Sequence, residues 1–119
     1  MSAQVKKYTF IGTSMINGDS VIESTKKYKT TVTIYNVGKK TSATVVFQSG
    51  EVYRYEEYIP KEIGSEPHRG KFTLYYFNDT ETEEKIGLMI YDDILHWGGA
   101  IIYENEDTLH LYKTLVRSY

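Results

Sequence analysis

Apolar and polar positions alternate along most of this chain with a period of two. Residues 27–36 show it most plainly: Tyr28, Thr30, Val32 and Ile34 fall on one side, and Lys29, Thr31, Thr33 and Tyr35 on the other. Successive side chains of an extended strand point to opposite faces, so this spacing predicts a β-strand with one buried face. Residues 51–59 repeat the pattern, with Tyr53, Tyr55 and Glu57 opposed to Val52, Arg54, Glu56 and Tyr58. Nowhere do apolar residues keep helical spacing through a ten-residue window, and no helix is predicted.

Further strands are predicted over 5–16, 42–48, 71–78, 86–91, 100–104 and 108–117, bounded by turn-forming residues, while residues 20–24 are short and ambiguous. Asn17-Gly18-Asp19 predicts a tight hairpin, because Asn-Gly supplies the positive φ angles that such turns need. Gly38-Lys39-Lys40 and Ser49-Gly50 predict two more turns, and Gly12 a bulge or a point of close approach inside the first strand. Residues 60–70 hold both prolines and two glycines and read as the one long loop; residues 92–97 read as either a strand or a short helical turn. Many short strands joined by tight turns predict an all-β fold of one domain, 1–119: an antiparallel up-and-down β-barrel of about 8–10 strands, with a β-sandwich as the alternative.

Composition sharpens this picture in three places. Tyrosine accounts for 12 of 119 residues, which favours pleated, half-buried surface. Cysteine is absent, so disulfides, thiolate catalysis and zinc–thiolate sites are excluded. No apolar run approaches the roughly 20 residues a membrane helix needs, and no apolar segment follows the N-terminal lysines, so a cytoplasmic protein without a membrane partner is expected. Charge is uneven: residues 1–50 carry seven lysines against Asp19 and Glu23, a net +5, whereas residues 51–119 carry seven Lys or Arg against fourteen Asp or Glu, a net −7. Strands from both halves pair within a sheet, so this asymmetry need not persist in space.

Two stretches resemble the calycin group, the lipocalins and fatty-acid-binding proteins. Phe10-Ile11-Gly12-Thr13-Ser14 is similar to the Phe-x-Gly-x-Trp of their first strand, with Ser14 in place of the tryptophan. Leu115-Val116-Arg117-Ser118-Tyr119 resembles the ending whose arginine packs over that tryptophan, and residues 99–111 resemble the last hairpin of small lipocalin-like domains. The resemblance covers about thirty residues at the two ends. It implies a barrel with a central cavity for a small apolar or aromatic ligand.

Candidate chemistry follows from residue type and face. Tyr53 and Tyr55 share a strand face, and Tyr76 and Tyr91 sit on later strands; turned inward, they would line an apolar cavity with phenolic hydroxyls to orient a polar head. With Trp97 and Arg117, Tyr53, Tyr55 and Tyr76 make the expected ligand-binding set. Arg54 would serve an anionic ligand only if the opposite face were the inner one. His96 stands within five residues of Asp92 and Asp93, beside Trp97 and Gly98-Gly99, and a carboxylate orienting an imidazole is how a general base is held. The alternative is an Asp92-Asp93 turn with Trp97 as a core anchor. His68, His96 and His110 show no paired ligand spacing, so no metal is expected, and no cofactor motif is present. Lys26-Lys27-Tyr28-Lys29 mixes cations and aromatics as single-strand binders do, yet a pI near 5.9 argues against nucleic acid. Binding of a small, partly apolar molecule without chemistry is the expected function. A protein-interaction module, such as a small inhibitor or a homodimer, is one alternative, and a small isomerase, cyclase or lyase using His96 is another.

Overall fold

A computed structural model describes residues 5–17, 20–23, 28–92 and 98–112. Among these, every regular element is a strand: β1 (Val5–Phe10), β2 (Gly12–Asn17), β3 (Ser20–Glu23), β4 (Thr30–Val37), β5 (Lys40–Phe47), β6 (Val52–Glu66), β7 (Gly70–Asp79), β8 (Lys85–Tyr91), β9 (Gly99–Tyr103) and β10 (Thr108–Tyr112). All belong to one sheet in the order β1-β4-β5-β6-β7-β8-β9-β10-β2-β3, and every pairing is antiparallel. From β4 to β10 each strand pairs with the next, which is the up-and-down meander the turn spacing predicts.

Closure depends on Ile11. β1 and β2 are halves of one bent strand, so the sheet counts as nine antiparallel strands. The first half pairs with β4 (Phe10 opposite Thr30) and the second with β10 (Leu111 opposite Thr13). The Ile11 N–H donates to the Tyr112 carbonyl at 3.0 Å, and its own carbonyl accepts from Tyr28 N–H at 2.9 Å. The inward-facing positions switch parity here, from Tyr8 and Phe10 to Thr13 and Met15, as a bulge requires. Both outer strands of the meander are therefore drawn onto one segment, and the sheet curls into a nearly closed barrel.

Alternation then fills the interior. Phe10, Val32, Val45, Phe77, Leu88, Ile101 and Leu111 are all buried to about zero exposure and contribute one inward face from seven strands. An aromatic chain runs through this core: Phe47, Tyr53, Tyr55, Phe77 and Tyr75 meet in sequence with centroids 5.7, 6.5, 6.2 and 5.5 Å apart. Each such pair adds about 0.5–1.5 kcal/mol beyond its buried area.

The hairpin predicted at Asn17-Gly18-Asp19 brackets paired strands, with Asn17 opposite Ser20; residues 18 and 19 lie outside the described ones. The long loop predicted over 60–70 is corrected. β6 continues to Glu66, and only Pro67-His68-Arg69 turns, with Glu66 opposite Gly70. Pro60 is accommodated because the register shifts between Glu57 and Ile59 and again between Ile59 and Glu62. At such bulges no ladder donor is required of it.

Candidate functional site

The bulges in β6 bring a lysine to one end of the barrel. Lys61, inside the second of those register shifts, places its Nζ 5.8 Å from the ring centroid of Tyr75 on β7. Lys6 and Tyr8 reach the same mouth from β1, where Lys6 is opposite Ile34 and Tyr8 opposite Val32. Thr73 and Tyr75 come from β7, Ile90 and Tyr91 from β8, and Asp92 follows the end of β8, its N–H donating to the Lys71 carbonyl at 2.9 Å. Together Lys6, Tyr8, Thr73, Tyr75, Ile90, Tyr91 and Asp92 line a cleft of 230 Å³. A second hollow of 40 Å³, lined by Lys6, Ile34, Asn36, Thr41, Lys61 and Tyr75, shares Lys6 and Tyr75 with it.

The phenols of Tyr8 and Tyr75 stay neutral through ordinary pH. Burial raises the Tyr75 pKa, assisted by Tyr8 and the Glu57 carboxylate, and burial with the charge of Asp92 raises that of Tyr8. Their hydroxyls are therefore hydrogen-bond donors. At the rim, the buried Tyr91 hydroxyl donates to Glu66 Oε1 at 3.2 Å and accepts from Arg69 Nη1 at 3.4 Å. The Arg69 guanidinium also sits 6.0 Å over the Tyr91 ring, so the Pro67-His68-Arg69 turn is fastened to β8.

The residues predicted to bind a ligand are not gathered here. Tyr53 and Tyr55 do face inward, stacked 6.5 Å apart, but toward the other end of the barrel. Tyr55 is core, only 5% exposed, and burial holds its phenol far above the usual range. The Tyr53 hydroxyl donates to Glu51 Oε2 at 2.5 Å. Tyr103 lies nearby on β9, its pKa pushed up to about 12 by burial. Tyr76 points out of the barrel, because its neighbours Tyr75 and Phe77 take the inner face. There it lines an outer groove of 340 Å³ with Tyr58, Leu74, Gly87 and Ile102, flanked by Lys85 and Glu104. Arg54 is exposed on the outer face. Trp97, Arg117, Asp93 and His96 lie outside the described residues, and of that acid–base cluster only Asp92 is placed, exposed at the mouth. Among the described residues no group of His, Asp and Glu is arranged to hold a metal ion.

Lys6, Tyr8, Lys61 and Tyr75 went unpredicted as a site. One signal was present: Lys6 shares the inward parity of Tyr8 and Phe10, which puts a cation in line with two core aromatics. Lys61 gave no signal, since its direction is set by bulges the sequence does not announce.

Fold and mouth together define an all-strand, nearly closed antiparallel barrel compatible with a calycin-like architecture. No protein-family model, curated protein or solved structure matches this chain. No described helix is long and apolar enough to cross a membrane.

Proposed function

We propose that this protein is a calycin-like barrel that binds a small, partly apolar molecule at the mouth lined by Lys6, Tyr8, Thr73, Tyr75, Ile90, Tyr91 and Asp92, without chemistry. The observation that carries this reading is the 230 Å³ cleft over the aromatic core. An enclosed apolar cavity of about 150 Å³ holds a benzene ring, so this volume suits one ring with a short substituent. Amide chemical shifts followed during titration with single-ring aromatic fragments test it. Saturable shifts are expected at Tyr8, Thr73, Tyr75 and Ile90. Shifts confined to other strands, or none across the panel, would remove the proposal.

A second reading, an interaction module, draws on the outer groove. Tyr58 is 43% exposed there, and Leu74, Tyr76 and Ile102 line the same groove. A second copy of the chain is the partner its charges suit: Lys85 on one protomer would meet Glu104 on the other across a two-fold axis. Sedimentation equilibrium would then find a dimer that Tyr76→Glu dissociates, and a monomer at every concentration removes this reading.

A further inference from the structure

We infer that the mouth selects an anion: a compact molecule whose carboxylate, or similarly small anionic head, enters the 40 Å³ hollow while an aromatic or short aliphatic body occupies the 230 Å³ cleft. This rests on the mouth being the binding site. Its own warrant is the division of that mouth into two unlike compartments that share Lys6 and Tyr75.

The small compartment is rich in donors. Lys6 and Lys61 supply two ammonium groups to its wall, and none of its lining residues is a carboxylate. Thr41 Oγ1 donates to Asn36 Oδ1 at 3.1 Å, which occupies the carboxamide oxygen and leaves the Asn36 N–H groups to a guest. The buried Tyr75 hydroxyl adds a neutral donor. At 40 Å³ against 230 Å³ the hollow is much the smaller compartment, so the head group of a ligand fits there and its body in the cleft. Two carboxylates lie close by and oppose the lysines without entering the lining of the hollow: Glu57 accepts the Thr41 N–H through Oε1 at 2.9 Å, and Asp92 borders the large cleft. The large compartment presents Tyr8, Tyr75 and Ile90 to the ligand body.

The probes are 3-phenylpropanoate and its uncharged amide, 3-phenylpropanamide, which differ in charge but little in shape. Dissociation constants are measured by amide shift titration on the whole chain, with Lys6→Met, Lys61→Met and the double variant beside the wild type. Both lysines are exposed and methionine keeps their apolar stems, so thermal unfolding is expected to stay near that of the wild type. The acid should bind the wild type roughly tenfold more tightly than the amide, as a charge-assisted contact exceeds a neutral one by about that factor. In the double variant the preference should vanish, acid and amide then binding alike. Equal binding of acid and amide, with shifts at Tyr8, Thr73 and Tyr75, would overturn the anion inference and leave the mouth as the site. A preference for the acid that survives loss of both lysines would overturn it too. Absence of shifts at those residues with either probe would overturn both readings.

Discussion

The rings of Tyr75 and Phe77 lie nearly parallel, 6° between planes, with centroids 5.5 Å apart. Two residues apart on β7, they share its inward face, and Phe77 is the fully buried member on which Tyr75 rests at the mouth. Truncation by Phe77→Ala removes that support and leaves a cavity in the core. It should cost about 3–5 kcal/mol, seen as a lower midpoint in urea unfolding. Loss of less than about 1 kcal/mol would mean that the barrel interior closes over the gap.

Thr30 presents the opposite case. Its side chain is fully buried, opposite Phe10 on one side and Phe47 on the other, and its hydroxyl has no hydrogen-bond partner among the described residues. A buried unsatisfied hydroxyl costs about 1–3 kcal/mol. Thr30→Val should therefore leave stability unchanged or raise it by about 1 kcal/mol in urea unfolding. A clear loss would reveal a buried water or ligand atom bound to Oγ1.

Gly98 has φ +63°, and a Cβ built there would stand 2.2 Å from the Leu111 carbonyl oxygen. Neither the backbone of β10 nor the left-handed conformation tolerates a side chain at that point. Gly98→Ala is expected to destabilise by more than about 2 kcal/mol, whereas Gly38→Ala, at φ +62° but in open space, bears only the conformational cost. Urea midpoints for the pair separate the clash from the φ angle.

His110 is half-buried on β10, and its pKa is lowered first by burial and next by Arg69, with Glu66 opposing. The unfolded chain then binds a proton more readily than the folded one below the ordinary histidine value of about 6.5. Stability contributed by the neutral imidazole is present above that value and is lost as pH falls toward the lowered folded pKa. Between pH 7 and pH 5 the melting temperature of the wild type should fall further than that of His110→Phe. Parallel falls would show that other groups dominate the acid limb.

Tyr55 and Tyr103 act at the other extreme. Both phenols have raised pKa values, that of Tyr103 to about 12, chiefly through burial. They stay protonated in the fold while the unfolded chain ionises near 10, so their contribution is intact below about pH 10 and is lost as pH climbs through the folded values. Absorbance at 295 nm should show these phenols ionising together with alkaline unfolding, and Tyr103→Phe should move that unfolding to higher pH.

The strands were legible because period-two alternation reports burial directly, as in Thr30, Val32 and Ile34 of β4. The Asn17-Gly18 hairpin was legible from turn chemistry alone. What escaped were features decided between strands. Pro60 reads locally as a strand breaker, yet the bulges opposite Tyr76 and Leu74 remove the need for its missing N–H. Tyr75, Tyr76 and Phe77 stand in a row, and no alternation among three aromatics says which pair faces inward; the register to Leu88 and Ile86 on β8 decides it. The mouth was the least legible of all, because it is assembled from β1, β4, β5, β6, β7 and β8, no two of which supply adjacent motif residues.

The bent strand around Ile11 also sets a timetable. Thr13 finds its partner Leu111 only when the chain between them has been made, so the seam cannot be sewn during most of translation. Contacts so distant in sequence slow folding, and until β10 arrives the β2 backbone offers one unpaired edge to any neighbouring chain. The segment that closes the barrel is thus the one most exposed to mispairing before the ribosome has finished, and a chaperone that shields residues 12–17 would be protecting the final step of assembly.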